Sequence, residues 1–575
     1  MSLQLKKTKK FFNSQAGIFL ICGVLASIFF CFHYGIRILN FQYIDWLLVN
    51  EHDVALEYLG WEFFRISQWK FPFGLTNANS YPFDVSVIYT GSIPLFSFIF
   101  KIFSPILPEK FQYTGLFLLI MHFLQGSIAG ILIKKITKNS VFSIIGSLFF
   151  TIAPILTYRI FYHDGLAAQF IVLLAIYAAI TNNRRCIVKT CIVWSSILSL
   201  SVLFHSYFLP MCFIIMSFYL LHDFIINKES SRITYTYASS ILCVLLMLYL
   251  LGYFNDNTSS YAEGLGLYSA NLNFPINPQI SYFSTFLPVT PTINTAQEEG
   301  LGYLGLGIII SVIISLFIVA VKIKNKNVSK QRYLQFGLIF TMCLVFVIIA
   351  LSPLITLGKN NWLIPYPEFI LQIWSVFRAT GRFVWVTVYI LMLFSIFCIF
   401  KGFKPIAASI ILALLFVVQY ADVHKFIYRK GVILKHKFEY SNKLNSSIWN
   451  KIGNDNRMIF YTLPLAQQYR YFEKLHLYPL SYFAVQNKLF MNENNYSRVI
   501  FPVSKYREEE IERILKGDVK DSTIYIFGNL ETGAFMADIM PTYMVNNIVF
   551  GLKNSKDYLD EYLIAPPHIS YKDKL

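Results

Sequence analysis

The chain has 575 residues, of which 55% are hydrophobic, 17% aromatic and only 14% charged. That is a membrane composition, and it excludes an ordinary soluble globular chain. The net charge of +17 does not mark a nucleic-acid binder, because the basic residues sit in short clusters between apolar runs, where they act as topology signals.

Lys6, Lys7, Lys9 and Lys10 precede a long apolar run with no clear small-residue cleavage site. The first span therefore reads as a retained anchor. Runs long enough to span fall near 16–38, 113–133, 141–158, 165–181, 187–203, 206–225, 234–253, 303–322, 334–352, 383–400 and 404–421, eleven in all. Basic clusters occupy alternate loops: Lys134, Lys135 and Lys138; Arg184, Arg185 and Lys189; Lys228 and Arg232; Lys322 to Arg332; Lys401 and Lys404. The positive-inside rule puts these clusters and the N-terminus in the cytoplasm and the other loops outside. The longest outer loop, 254–302, has no Lys or Arg but carries Asp256, Glu263, Glu298 and Glu299. Segment 91–108 is apolar enough to span, but spanning would reverse the side of every later cluster. It reads as re-entrant or as a helix lying against the outer face.

After Asp422 the composition turns soluble. Residues 457–463, 523–527 and 547–550 look like short buried strands, and 505–516 like a charged amphipathic helix. All eight cysteines lie within or beside apolar runs, so neither a disulfide framework nor a cysteine zinc site is expected. The expected fold is a polytopic α-helical membrane protein with about eleven transmembrane helices and a C-terminal soluble α/β domain. Residues 1–422 form the membrane part, with a first outer loop over 39–112, and residues 423–575 the extracytoplasmic domain.

The first outer loop places Glu51, His52, Asp53, Glu57, Glu62 and Arg65 among aromatics such as Trp61 and Phe64. A half-buried carboxylate there can act as a general base. The alternative is an interfacial amphipathic helix with Asp53 at its N-cap and its charges facing water. With the topology above, Asp53, His163, Asp164, His205, Glu298, Glu299, Arg378 and Arg382 all fall in outer loops or at outer span ends. Each alone has a structural explanation. Their convergence implies a polar cavity at the outer membrane surface.

Several strings carry a family resemblance: Asp53…Leu59-Gly60-Trp61…Phe64-Arg65…Trp69…Pro72…Gly74, Ser92-Ile93-Pro94-Leu95, Phe111-Gln112-Tyr113, His163…Leu166-Ala167-Ala168, His205-Ser206-Tyr207-Phe208, Glu299-Gly300…Tyr303-Leu304-Gly305 and Phe377-Arg378-Ala379-Thr380-Gly381-Arg382-Phe383. With an acidic first outer loop and about a dozen spans, they resemble the GT-C superfamily of membrane glycosyltransferases. The wording is closest to a bacterial GT-C-like family described only as a domain of unknown function. The resemblance implies a polyprenyl-phosphate-linked sugar donor, a cell-envelope glycan or lipid-linked acceptor, membrane lipids as surroundings and a bacterial cytoplasmic membrane.

In that reading Asp53, with Glu51 as local rival, is the catalytic base. Arg378 and Arg382, with Arg65 in support, bind the donor phosphate, since a guanidinium fork suits phosphate oxygens. If helical, Arg378 and Arg382 share one face. His163, Asp164, His205, Tyr207, Glu299 and Trp61 line the acceptor or sugar side. Metal use stays open between none and a divalent cation, Mg or Mn. The family string carries Asp before Ser-Ile-Pro-Leu, whereas this chain has Gly91, and Gln169 stands where the family has His. The competing readings are a transporter or flippase for a lipid-linked glycan, and a glycan ligase.

Overall fold

The computed structural model describes residues 11–49, 53–181, 186–255, 264–324, 330–463, 477–498 and 500–565. Its contacts divide the chain into two compact units. One comprises residues 1–43, 113–247 and 261–437, the other residues 44–112, 248–260 and 438–575.

The chain is a polytopic helical protein. Among the described residues, ten helices are long and apolar enough to cross a membrane, from Gln15–Tyr34 to Pro405–Lys435. An uninterrupted apolar run of about 20 residues matches the roughly 30 Å hydrocarbon core. The span predicted over 141–158 is where the structure differs. The helix there is Ser140–Thr151, of 12 residues, which rises only about 18 Å. Ile152 and Ala153 interrupt it, and a separate short helix, Pro154–Thr157, follows. Pro154 lacks an N–H and pushes the residue before it out of the α region. Segment 91–108 holds only the 9-residue helix Pro94–Ile102, about 14 Å long.

Polar side chains inside the first unit are tied to backbone. The last long helix, Pro405–Lys435, runs on past Asp422, where the sequence reading ends the membrane part. Asp422 is fully buried. It accepts from the Ser284 hydroxyl, from Tyr303 Oη at 2.6 Å and from the Leu306 N–H at 2.9 Å. One turn earlier, Gln419 accepts from the Ile308 N–H at 3.1 Å and donates to the Leu304 carbonyl at 3.0 Å. The first amides of helix Leu306–Lys324 would otherwise be orphaned in an apolar setting. A second chain links Gln125, Tyr389 and Gln169. Gln125 donates to Tyr389 Oη at 2.8 Å, Tyr389 donates to Gln169 at 2.5 Å, and Gln169 donates to the Ile155 carbonyl at 2.8 Å. Gln169 thus joins separate helices.

The second unit is built on a five-stranded sheet in the order Phe490–Met491, Met458–Tyr461, Thr523–Phe527, Ile548–Gly551, Thr542–Val545. The first three strands run parallel and the last two pair antiparallel. Met458, Phe460, Tyr525, Phe527 and Val549 form its core. The charged helix is Phe501–Leu515. First-loop residues complete this unit. The Tyr81 N–H donates to the Met491 carbonyl at 2.7 Å and the Met491 N–H to the Ala78 carbonyl at 2.8 Å, so an edge strand that would stand open is covered. Val85 and Tyr89 pack with Ile500 and Val503. The sequence reading separates 39–112 from 423–575. The structure places 44–112 and 438–575 in one unit, because neither stretch closes its own core.

Candidate functional site

The residues singled out from the sequence fall into two groups, one in each unit. Glu51 lies outside the described residues. Asp53 begins the helix Asp53–Ile66 and is partly buried. A carboxylate in the first turn is favoured by the helix dipole. Trp61 is buried, with Nε1 donating to the Phe111 carbonyl at 3.4 Å. Arg65 holds a turn in place: it donates to Ser104 Oγ at 3.1 Å and to the carbonyls of Pro108 and Glu109 at 2.8 and 2.9 Å, and meets Glu62 at 3.3 Å. Glu62, which the sequence reading did not single out, is 3% exposed. Burial pushes its carboxyl up to about 8, although Arg65 pulls the other way. Gly91 has φ +83°, and a Cβ there would lie 3.4 Å from Glu57 Cγ. A side chain at 91 would be strained in backbone and would crowd Glu57.

The other group is organised by Glu299. It sits on the short 3-10 turn Thr295–Gly300, whose start is capped by Asn294. Its Oε2 accepts from Arg382 Nε at 3.0 Å and Nη2 at 2.7 Å. Arg159 Nη1 lies 2.9 Å from the same oxygen, and Arg159 Nη2 donates to the Glu299 backbone carbonyl at 3.0 Å. His163 Nε2 faces the other oxygen, Oε1, at 3.7 Å. A close approach of backbone makes this possible. The turn Thr380–Phe383 carries Arg382, and a Cβ on its Gly381 would lie 2.4 Å from Gly300 Cα. Only glycine lets the two turns touch and bring Arg382 onto Glu299.

The surrounding residues orient these groups. Asp164 is fully buried, and its Oδ1 accepts from the Phe161 N–H at 2.6 Å. That bond closes a turn in which Phe161 (φ 62°) and His163 (φ 55°) are left-handed, a conformation uncommon outside glycine. Arg159 is enclosed by the rings of Tyr158 at 4.7 Å and Trp385 at 5.2 Å. Arg382 lies 4.5 Å over the Tyr207 ring, and Tyr207 Oη accepts from the Ala379 N–H at 2.9 Å. His205 Nδ1 accepts from the Tyr207 N–H at 3.4 Å, which leaves Nε2 to carry the proton of the neutral ring.

Arg378 and Arg382 do not share a helix face. Ala379 has φ −87° and ψ 64°, which breaks helical continuity between them. Arg382 is buried, whereas Arg378 is exposed, with its guanidinium 5.3 Å over the Tyr268 ring.

The electrostatics follow from the pairing. Burial raises the Glu299 carboxyl, but Arg159, Arg382 and His163 together hold it well below the ordinary carboxylate range. Burial, reinforced by Arg382, His163 and Arg159, pushes His205 well below its usual range, so it is neutral at physiological pH. Glu298, next to the clamp, is raised by burial and by Glu299, with the Tyr158 hydroxyl 3.4 Å away opposing. Arg159 is the residue that sequence reasoning missed. It lies in Tyr158-Arg159-Ile160-Phe161 at the end of an apolar run, and only its partner 140 positions away reveals it. Among the described residues, no three of His, Cys, Asp and Glu come together in a way that could hold a metal ion.

Ten apolar helices around a buried arginine–glutamate clamp define a multi-pass membrane protein with a polar site between its turns. The chain belongs to the family described as a domain of unknown function, DUF6311, which matches it over residues 23–424. That match covers the segments carrying Asp53, Arg159, His163, His205, Glu299, Arg378 and Arg382. No curated protein matches the chain.

Proposed function

We propose that the protein is a GT-C-type membrane glycosyltransferase. It moves a sugar from a polyprenyl-phosphate donor to a cell-envelope glycan acceptor on the extracytoplasmic side of a bacterial cytoplasmic membrane. The observation that carries the reading is the assembly of Arg159, Arg382, His163 and Glu299 from separate turns of a span-rich unit. A leaving phosphate gains negative charge in the transition state, and cations fixed in advance stabilise that charge without reorganising. Glu299 is the positioning residue: it holds both guanidiniums in one arrangement before any substrate binds. Exposed Arg378, on the same stretch as Arg382, contacts the phosphate. His163, His205 and Tyr207 line the sugar side, and Asp164 sets the turn that presents His163.

Asp53 takes the proton from the acceptor hydroxyl. The first-turn position of its helix keeps the carboxylate ionised and ready to accept. The bond from the sugar carbon to the phosphate oxygen breaks as the acceptor oxygen bonds to that carbon. The phosphate leaves with the electron pair. Sugar transfer by purified wild-type protein, compared with Asp53→Asn, tests the assignment. Loss of a general base lowers the rate by about 10²–10⁴. Transfer unchanged by Asp53→Asn would move the base to another carboxylate.

A further inference from the structure

The helix Pro94–Ile102 and the turn after it are polar inside and apolar outside. Their one charged residue, Lys101, is 4% exposed. Its Nζ donates to Ser67 Oγ at 3.0 Å and sits 3.9 Å from the Phe64 ring centroid and 4.7 Å from that of Trp69. Lysine is almost never buried in a water-soluble fold unless paired. Opposite it, Ile102 is 65% and Ile106 80% exposed, with Ile99 and Phe103 beside them. These four are spaced i, i+3, i+4, i+7, a single stripe. A helix facing water would turn Lys101 out and the isoleucines in. This one does the reverse.

The stripe does not stand alone. The loop 69–74 carries exposed Trp69, Phe71 and Phe73, and Trp69 stacks on Phe98 at 6.2 Å. The same loop is fastened to the last turn of the spanning helix Ser230–Leu250. Phe71 packs 5.8 Å from the Tyr249 ring, and the Gly74 N–H donates to the Leu250 carbonyl at 3.0 Å. The end of a spanning helix marks the depth at which hydrocarbon gives way to headgroups, and aromatic rings favour that depth. An apolar surface fixed there is not a stray patch awaiting an unknown protein.

We infer that the face formed by Trp69, Phe71, Phe73, Ile102, Phe103 and Ile106 docks onto lipid, at the boundary of headgroups and acyl chains. The occupant is the bilayer itself. The face holds the second unit to the membrane at a point separate from its spanning segments, and caging Lys101 with Ser67, Phe64 and Trp69 is what leaves the surface free of charge. The inference stands whether or not the protein transfers sugar.

The test uses the full chain in phospholipid nanodiscs, with a fluorescent amino acid incorporated in place of Ile106. The same label in place of exposed Lys110 serves as the water-facing reference. Position 106 is open enough that the label disturbs no packing. Lipids brominated near the top of the acyl chain are expected to quench the label at 106 by about twofold or more, while aqueous iodide leaves it unchanged. At 110 the pattern reverses. Iodide quenching at 106 equal to that at 110 overturns the inference. So does shielding from both quenchers, which would mean that protein covers the face.

Discussion

Arg382 donates both of its hydrogen bonds to a single oxygen of Glu299, at 3.0 and 2.7 Å. Arg159 crowds the same oxygen at 2.9 Å. His163 faces the other oxygen. One carboxylate therefore compensates two buried guanidiniums, and removing it leaves both exposed to a low-dielectric interior.

Glu299→Gln is expected to cost about 3–5 kcal/mol of stability, the range for breaking a buried ion pair. Thermal unfolding of purified protein in detergent measures it. The pH sign follows from the direction of the shift. The folded carboxyl lies below its model value of 4.5, so its contribution is present above that pH and is lost as pH falls below it. Wild type should lose stability on acidification through this range. Glu299→Gln should lack that part of the loss.

Gly381→Ala would place a methyl group 2.4 Å from Gly300 Cα. Backbone cannot yield as a flexible side chain does, so a cost of about 1–3 kcal/mol is expected. Alanine elsewhere on an exposed turn changes stability by about 0.5 kcal/mol or less. An unchanged unfolding temperature for Gly381→Ala would refute the close approach of the two turns.

Glu62 titrates in the opposite sense. Its folded carboxyl is raised from 4.5 to about 8. The stability it contributes is full below pH 4.5 and is lost as pH rises through about 8. Unfolding of wild type should therefore become easier between those limits. Glu62→Gln cannot ionise and should flatten that slope. Equal slopes for the two proteins would place the titration elsewhere.

Arg378 is exposed and contacts the Tyr268 ring, so Arg378→Ala should change stability by about 0.5 kcal/mol or less. Its turnover should fall by about 10²–10³, the typical loss of one preorganised donor to a developing charge. Full turnover by a folded Arg378→Ala protein would remove it from the phosphate site. Arg382→Ala is the contrast, since it must lower stability as well.

The helices were legible because long apolar runs declare themselves by length alone. The run at 141–158 misled because Pro154, not hydropathy, decides where a helix stops. Glu299, His163 and Arg382 stand out as polar residues at span ends. Their clamp is a matter of distance, set by Gly300 and Gly381, and no local pattern announces it. Arg159 was hidden by its apolar neighbours. Arg65 reads as a phosphate ligand in the sequence, yet here it holds the carbonyls of Pro108 and Glu109. A guanidinium fork suits phosphate and backbone carbonyls equally, so residue type could not separate the two roles.

The most direct measurement is transfer of labelled sugar from a panel of polyprenyl-phosphate sugars by the purified wild-type protein, with envelope membranes as acceptor. The account predicts labelled glycan from at least one donor, with release of polyprenyl phosphate. No transfer from any donor by folded, reconstituted protein, together with movement of a lipid-linked glycan between leaflets, would contradict it.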